Sequence, residues 1–276
     1  MDFELRFTDK EITAWAGMGL LKRMLDHMQF DAALSIAGLP QPSSNCGYAP
    51  EQLITQFMLS VWCGANRFEH GELTRHDPVL KRIFGIKRMV NFKAVMRVFR
   101  RFTQQSNEAV IDHLYGWMFE QIAIDGITLD VDPTVMTRYG QQEGAARGYK
   151  PTKRGRASHH PLMALVSETR MVAKLWLRPG NTSSANNVQG FLANTWARLG
   201  NKHIALLRGD SGFSDNAFLT HLEEQKLHYI IALGQTAPLQ RALVDASLEG
   251  KGWWGLVDDK GKVMPGIELT RFSLPG

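Results

Sequence analysis

Two aspartates stand where carboxylates could act together. Asp132 closes the alternating run "ITLDVD", in which Ile127, Leu129 and Val131 face one way and Thr128, Asp130 and Asp132 the other. Asp210 follows the apolar run Ile204 to Leu207 in "HIALLRGDSGF". Each acid falls at the end of an expected strand, which is where open α/β sheets form their sites. The two are 78 residues apart, and the first strand of such a sheet can lie beside a later crossover strand. Paired carboxylates suit a hard divalent cation, since Mg2+ is held by one or two of them together with substrate phosphate and water. Two such ions about 4 Å apart activate an attacking oxygen and stabilise a leaving one. Asp and Gly are also common turn residues, so a purely structural role for both acids stays open at this level.

A phosphate substrate would need cations, and the basic residues are unevenly spread. Net charge is only +5, yet residues 78–107 carry eight basic side chains and no acidic one. Within that stretch Lys93, Arg97, Arg100 and Arg101 form one stripe of an expected helix over 91–102. Phe92, Val95, Met96, Phe99 and Phe102 form the other. A second cluster holds Arg147, Lys150, Lys153, Arg154 and Arg156. These nine residues are the candidate contacts to DNA phosphates; a solvated charged face is the alternative.

The elements that must position these residues change character along the chain. The first ~120 residues show helical spacing, with Pro50 at the start of one helix, Asp77-Pro78 opening a second and Gly85 closing it. A helix over about 107–121 leads out of the region. Strand periods begin near Ala123. After "ITLDVD", a Gly-rich basic stretch from Tyr139 to Pro161 suggests a long loop. "LMALVSET" and "MVAKLWLRPG" suggest a hairpin, followed by a helix over 184–199 and the strand 204–207. Ser214 suits the N-cap of a further helix, and "HYIIAL" suggests a last strand. Beyond Gln235 the pattern weakens into short β hairpins with turns at Asp259-Lys260-Gly261 and Pro265-Gly266. The expected organisation is a helical DNA-binding region over 1–122, an α/β core over 123–234 and a β-rich segment over 235–276.

Cys46 and Cys63 make neither a disulfide framework nor a zinc pattern and are expected as free thiols. The charged start "MDFELRFTDK" is unlike a signal peptide, and no apolar run approaches a membrane span. A soluble cytoplasmic protein is expected.

Taken together, "LDVDPTV", "YGQQEGAARGYKPTKRGRASHHPL", "LRPGNTSSANNVQGFL" and "LRGDSGF" resemble DDE transposases of bacterial insertion sequences, in particular the group called in words IS thirteen-eighty. "HGELTRHDPVLKRIFG" resembles that group's N-terminal region. The resemblance implies an RNase H-like catalytic core preceded by an all-helical region. It implies two Mg2+ (or Mn2+) ions, cleavage of double-stranded DNA at transposon terminal repeats, strand transfer into target DNA, and a homodimer in a synaptic complex. Asp132 and Asp210 match the first two metal-binding acids of the pattern, and Asp130 is expected as a supporting or structural neighbour. The third acid of the family, a glutamate on a helix after a β-rich insertion, has no match. Glu249 and Glu268 come too early, and Glu268 sits in a strand-like sequence. A C-terminally truncated chain is therefore expected, either active with help or a DNA-binding fragment that inhibits transposition. A general structure-selective nuclease is a third reading. His159 and His160 suit loop or capping roles, Glu143 a solvated one, and Trp253 and Trp254 either packing or base stacking.

Overall fold

The computed structural model describes residues 9–43, 47–148, 155–234, 236–249, 254–257 and 263–269. Contacts divide the chain into two units, 1–124 with 197–201 and 125–196 with 202–276.

The described elements of the first unit's main span are helices: α1 (Met18–His27), α2 (Phe30–Ser35), α3 (Pro50–Trp62), a 3-10 turn (Phe68–His70), α4 (Gly71–Arg75), α5 (Pro78–Ile83), α6 (Phe92–Phe99) and α7 (Gln104–Glu120). Their starts follow from local chemistry. Pro50 and Pro78 occupy first-turn positions, where a missing N–H costs nothing. The Asp77 carboxylate accepts the Leu80 N–H at 2.9 Å, and Asn91 caps α6 by accepting from Ala94 at 3.2 Å. Thr103 and Ser106 cap α7 reciprocally. Gly85 takes φ +64° just past α5, a conformation that ends helices cheaply in glycine.

Leu34, Leu59, Leu80, Val95 and Val98 anchor this unit's core. Phe57, Phe68 and Phe99 pack ring against ring, with centroids 4.8 to 5.6 Å apart. The apolar stripe of α6 differs from the sequence expectation in one respect. Val98 is a core residue, and the helix ends at Phe99, so Arg100 is its C-cap and Arg101 lies beyond it.

Buried Gln56, only 2% exposed, works as a substitute strand. Its amide donates to the Val90 carbonyl at 2.6 Å and accepts the Val90 N–H at 2.9 Å. Both backbone groups would otherwise be buried without partners.

The second unit holds β1 (Ile127–Pro133), β2 (Met136–Thr137), β3 (Ala146–Arg147), β4 (Ala157–His159), β5 (Leu162–Val166), β6 (Met171–Trp176), all but the last residues of α8 (Val188–Leu199), β7 (Ile204–Gly209), a 3-10 turn (Ser211–Phe213), α9 (Asn216–Glu224), β8 (Tyr229–Ile231), α10 (Ala237–Glu249), β9 (Trp254–Val257) and β10 (Val263–Leu269). The main sheet runs in the order β6-β5-β1-β7-β8. β5 and β6 are antiparallel, as are β1 and β5, whereas β1–β7 and β7–β8 are parallel. The crossover between β7 and β8 is α9, the kind of helical connection a parallel pair needs. Ile127, Leu129 and Val131 are buried, as the alternation of β1 demands, together with Leu162, Ala164, Val166 and Leu207. Phe191 of α8 meets Trp176 of β6 edge to face at 5.4 Å.

Several expectations change. The Gly-rich basic segment is not simply a loop: its β3 and β4 join β2, just before it, in a small sheet, β2-β4-β3, in which β4 pairs antiparallel with both neighbours. α8 begins at Val188 rather than Ser184. Asp215, not Ser214, caps α9 by accepting the Phe218 N–H at 3.1 Å. A helix, α10, precedes the C-terminal hairpin of β9 and β10 where the sequence pattern only weakens. Pro265-Gly266 lies inside β10, across a register shift, rather than at a turn. No helix among the described residues is long and apolar enough to cross a membrane.

Replacing Gln56 by Leu leaves the Val90 N–H and carbonyl buried and unpaired. It is expected to lower stability by about 2 kcal/mol, measured by urea denaturation. A loss below a few tenths of a kcal/mol would mean that water replaces the amide.

Candidate functional site

Strand register builds the site. β1 and β7 run parallel with Asp130 opposite Arg208 and Val131 opposite Gly209. The next residue in each case is an aspartate, Asp132 on β1 and Asp210 just past β7. Neighbouring strands lie about 4.8 Å apart, so the two acids emerge side by side at one end of the sheet. Asp132 also stands opposite Met163 of antiparallel β5. Asp210 is held by its own turn, where its Oδ1 accepts the Gly212 N–H at 2.9 Å.

The electrostatics show that the pair interacts. Burial lifts the Asp132 carboxyl above its ordinary value, and the Asp210 charge lifts it further. Among the described residues, no hydrogen-bond or ion-pair partner meets the Asp132 carboxylate. Two oxygen-donor groups that repel one another, one of them partly withdrawn from water, fit a hard divalent cation. Among the described residues, no third His, Cys, Asp or Glu joins them. The side chains of Glu249 and Glu268, on α10 and β10, lie outside the described part of the chain.

Asp130 faces the same side as Asp132 but is engaged elsewhere. Its carboxylate takes a two-pronged contact from Arg208, at 2.6 Å to Nε and 2.7 Å to Nη2. Arg208 Nη2 also donates to Ser167 Oγ at 2.9 Å. The sequence reading missed Arg208. The signal was present, since Arg208 precedes Asp210 by two residues as Asp130 precedes Asp132, but pairing them requires knowing that the strands are neighbours.

The glycines around Asp210 have a steric cause within the chain itself. A Cβ on Gly212 would stand 2.6 Å from Ser184 Oγ and 3.0 Å from Asp210 Oδ1. The neighbour that demands glycine is therefore the 183–186 loop rather than a ligand's approach. That loop is held by Arg178, which is 6% exposed. Arg178 Nη1 donates to the carbonyls of Ser183, Ser184 and Asn186, each at 3.2 Å, and Nε donates to His160 O at 3.2 Å. Sequence reading missed this residue too, because a buried arginine looks like any other at the end of a strand.

His159 and His160 bind backbone. Arg138 Nε donates to His159 Nδ1 at 3.0 Å, so Nε2 carries the proton and donates to Glu143 O at 3.0 Å. His160 Nδ1 donates to Thr182 O at 2.6 Å.

The basic residues divide between the units. Lys93, Arg97, Arg100 and Arg101 are all exposed in the first unit. Among the described residues, none has an ion-pair partner. In the second unit Arg147 is exposed on β3, and Arg156 lies with its guanidinium 5.6 Å from the ring centre of Tyr139. Lys150, Lys153 and Arg154 lie outside the described residues.

The raised Asp132 pKa has a consequence for stability. The folded chain binds that proton more tightly than the unfolded chain, so stability falls as pH rises past the ordinary value of 3.8. Asp132→Asn removes the charge. It is expected to raise the melting temperature at pH 7, with the gain shrinking as pH falls through the raised pKa toward 3.8 and vanishing below that. An unchanged or lower melting temperature at pH 7 would contradict the repulsion.

The family model described as "Transposase DDE domain group 1" matches residues 2–252. Three solved structures are similar at low identity. The piggyBac transposase synaptic complex with hairpin DNA shows 14% identity over 82% of this chain and 53% of that one, at a TM-score of 0.45. The Drosophila P element transposase strand transfer complex shows 12% over 92% and 53%, at 0.36. The Mos1 transposase paired-end complex with the left transposon end shows 10% over 77% and 75%, at 0.29. The chain spans about half the length of the piggyBac and P element chains it matches. No curated protein sequence matches it.

Proposed function

The chain belongs to the family of transposase DDE domains, group 1, and from that premise we propose that it acts on DNA, cleaving phosphodiesters at transposon ends and joining them to target DNA. The observation that carries the reading is the Asp132–Asp210 pair at the ends of two parallel neighbouring strands. The sheet order, three antiparallel strands followed by two parallel ones, supports an RNase H-like core. The quoted motifs support the IS thirteen-eighty group within the family. Expected partners are double-stranded terminal repeats, target DNA and a second protomer.

Asp132 and Asp210 would hold Mg2+ or Mn2+, two ions in the complete site. A cation bound there lowers the pKa of its water and offsets the charge developing on the phosphate. The chain's own residues supply the rest. Asp210 is fixed by the Gly212 N–H, and the turn that presents it is wedged by Ser184 and hence by Arg178. The two carboxylates would serve as oxygen ligands. On the first unit, Lys93, Arg97, Arg100 and Arg101 would contact backbone phosphates, which carry affinity without sequence choice. Arg147 and Arg156, with Lys150, Lys153 and Arg154, would do so in the second.

A second reading is DNA binding without cleavage. It rests on the exposed basic residues Lys93, Arg97, Arg100 and Arg101, which could bind duplex without any chemistry.

Incubating the chain with Mn2+ and its terminal repeats separates the two. Cleavage lost in Asp210→Ala supports the first, and binding without cleavage supports the second. Neither binding nor cleavage would overturn both. The basic helix has its own measurement. Neutralising two phosphate contacts with Arg97→Ala and Arg100→Ala should flatten the log–log salt dependence of duplex binding by about 2. An unchanged slope would remove α6 from the DNA surface.

A further inference from the structure

We propose that Asp130 is a positioning residue that holds the Arg208 guanidinium away from the Asp132–Asp210 pair. The inference rests on the reading of that pair as a cation site.

Alternation along the strands places Asp130 two residues before Asp132, and Arg208 two residues before Asp210, all on one face. The step from i to i+2 is about 7 Å along a strand, within the swing of an arginine side chain. A guanidinium is always charged, and its fork matches a carboxylate. Left loose, Arg208 could turn to Glu168, whose charge already acts on it, or swing one strand step to Asp132 and Asp210, where it would occupy oxygens that a cation needs. It is not loose. Two of its nitrogens grip the two oxygens of Asp130 at 2.6 and 2.7 Å, and Nη2 reaches Ser167 Oγ at 2.9 Å. These contacts direct the guanidinium along the sheet, away from the acids.

Stability does not explain this arrangement. The side chains of Arg208 and Asp130 remain 46% and 31% exposed, and exposed ion pairs contribute little. Their placement one strand step from two mutually repelling acids gives the pair a different use. Asp130 holds Arg208 and denies it contact with the two acids.

Mn2+ binding by the full chain, followed by the free-ion electron paramagnetic resonance signal, tests this with four proteins and with Asp210→Asn as a control. Asp130→Asn frees the arginine and should weaken Mn2+ binding about fivefold, as expected for a cation brought into a partly exposed site. Arg208→Gln should bind Mn2+ at least as well as the unaltered chain. The double variant, Asp130→Asn with Arg208→Gln, should return to within about twofold of the unaltered chain, because no arginine is left to compete. Melting temperatures measured alongside should differ little among the four. Binding unchanged in Asp130→Asn would overturn the proposal. So would a double variant as weak as Asp130→Asn, or an Arg208→Gln variant equally weakened, since either would mean that the pair only braces the strands. If the unaltered chain binds no Mn2+, or Asp210→Asn binds as well as it does, the cation-site reading itself fails and this inference with it.

Discussion

The parallel register of β1 and β7 is the constraint on which the site depends. Backbone bonds that set Asp130 opposite Arg208 and Val131 opposite Gly209 also bring the two aspartates together at the strand ends. Side chains alternate with a period of two, so a one-residue slip would turn the carboxylates to opposite faces. It would also move either Leu129 and Val131 of β1 or Leu207 of β7 out of the core. Burial on one face of the sheet therefore holds the geometry on the other. The Asp130–Arg208 contact spans the same two strands and depends on that register.

Holding two carboxylates together works against the fold. Asp132 is partly withdrawn from water and faces the Asp210 charge, and both effects favour its neutral form. A chain selected only for stability would place an uncharged residue there. Sites that bind charge are common places for such a conflict, because the groups that destabilise the empty site are the ones that hold the ligand.

Buried polar side chains do much of the work of joining irregular segments. Gln56 stands in for a strand beside Val90. Arg178 gathers three carbonyls of the loop that leans on Gly212. His159 ties the Arg138 side chain to the Glu143 carbonyl. In each case a backbone or side-chain group that water cannot reach is given a partner, which is the condition for burying a loop at all.

The sequence alone determined the elements whose cause is local. Alternation marked β1, apolar runs marked β5 to β7, and Asp77-Pro78 and Asn91 marked helix starts, because capping and strand period depend on near neighbours. The same local logic put the cap at Ser214 where Asp215 holds it, since either side chain can accept the bond and only the helix's position decides. It missed β3 and β4, whose few residues become strands only by pairing with each other, and α10, whose apolar spacing is weak. The two aspartates could be singled out as strand-end acids, but their adjacency comes from a parallel pairing between segments 78 residues apart. Tertiary structure alone decided that Arg208 is bound to Asp130 and that Arg178 is buried. Charge and burial at those positions depend on which strand or loop arrives beside them, and no local pattern encodes that.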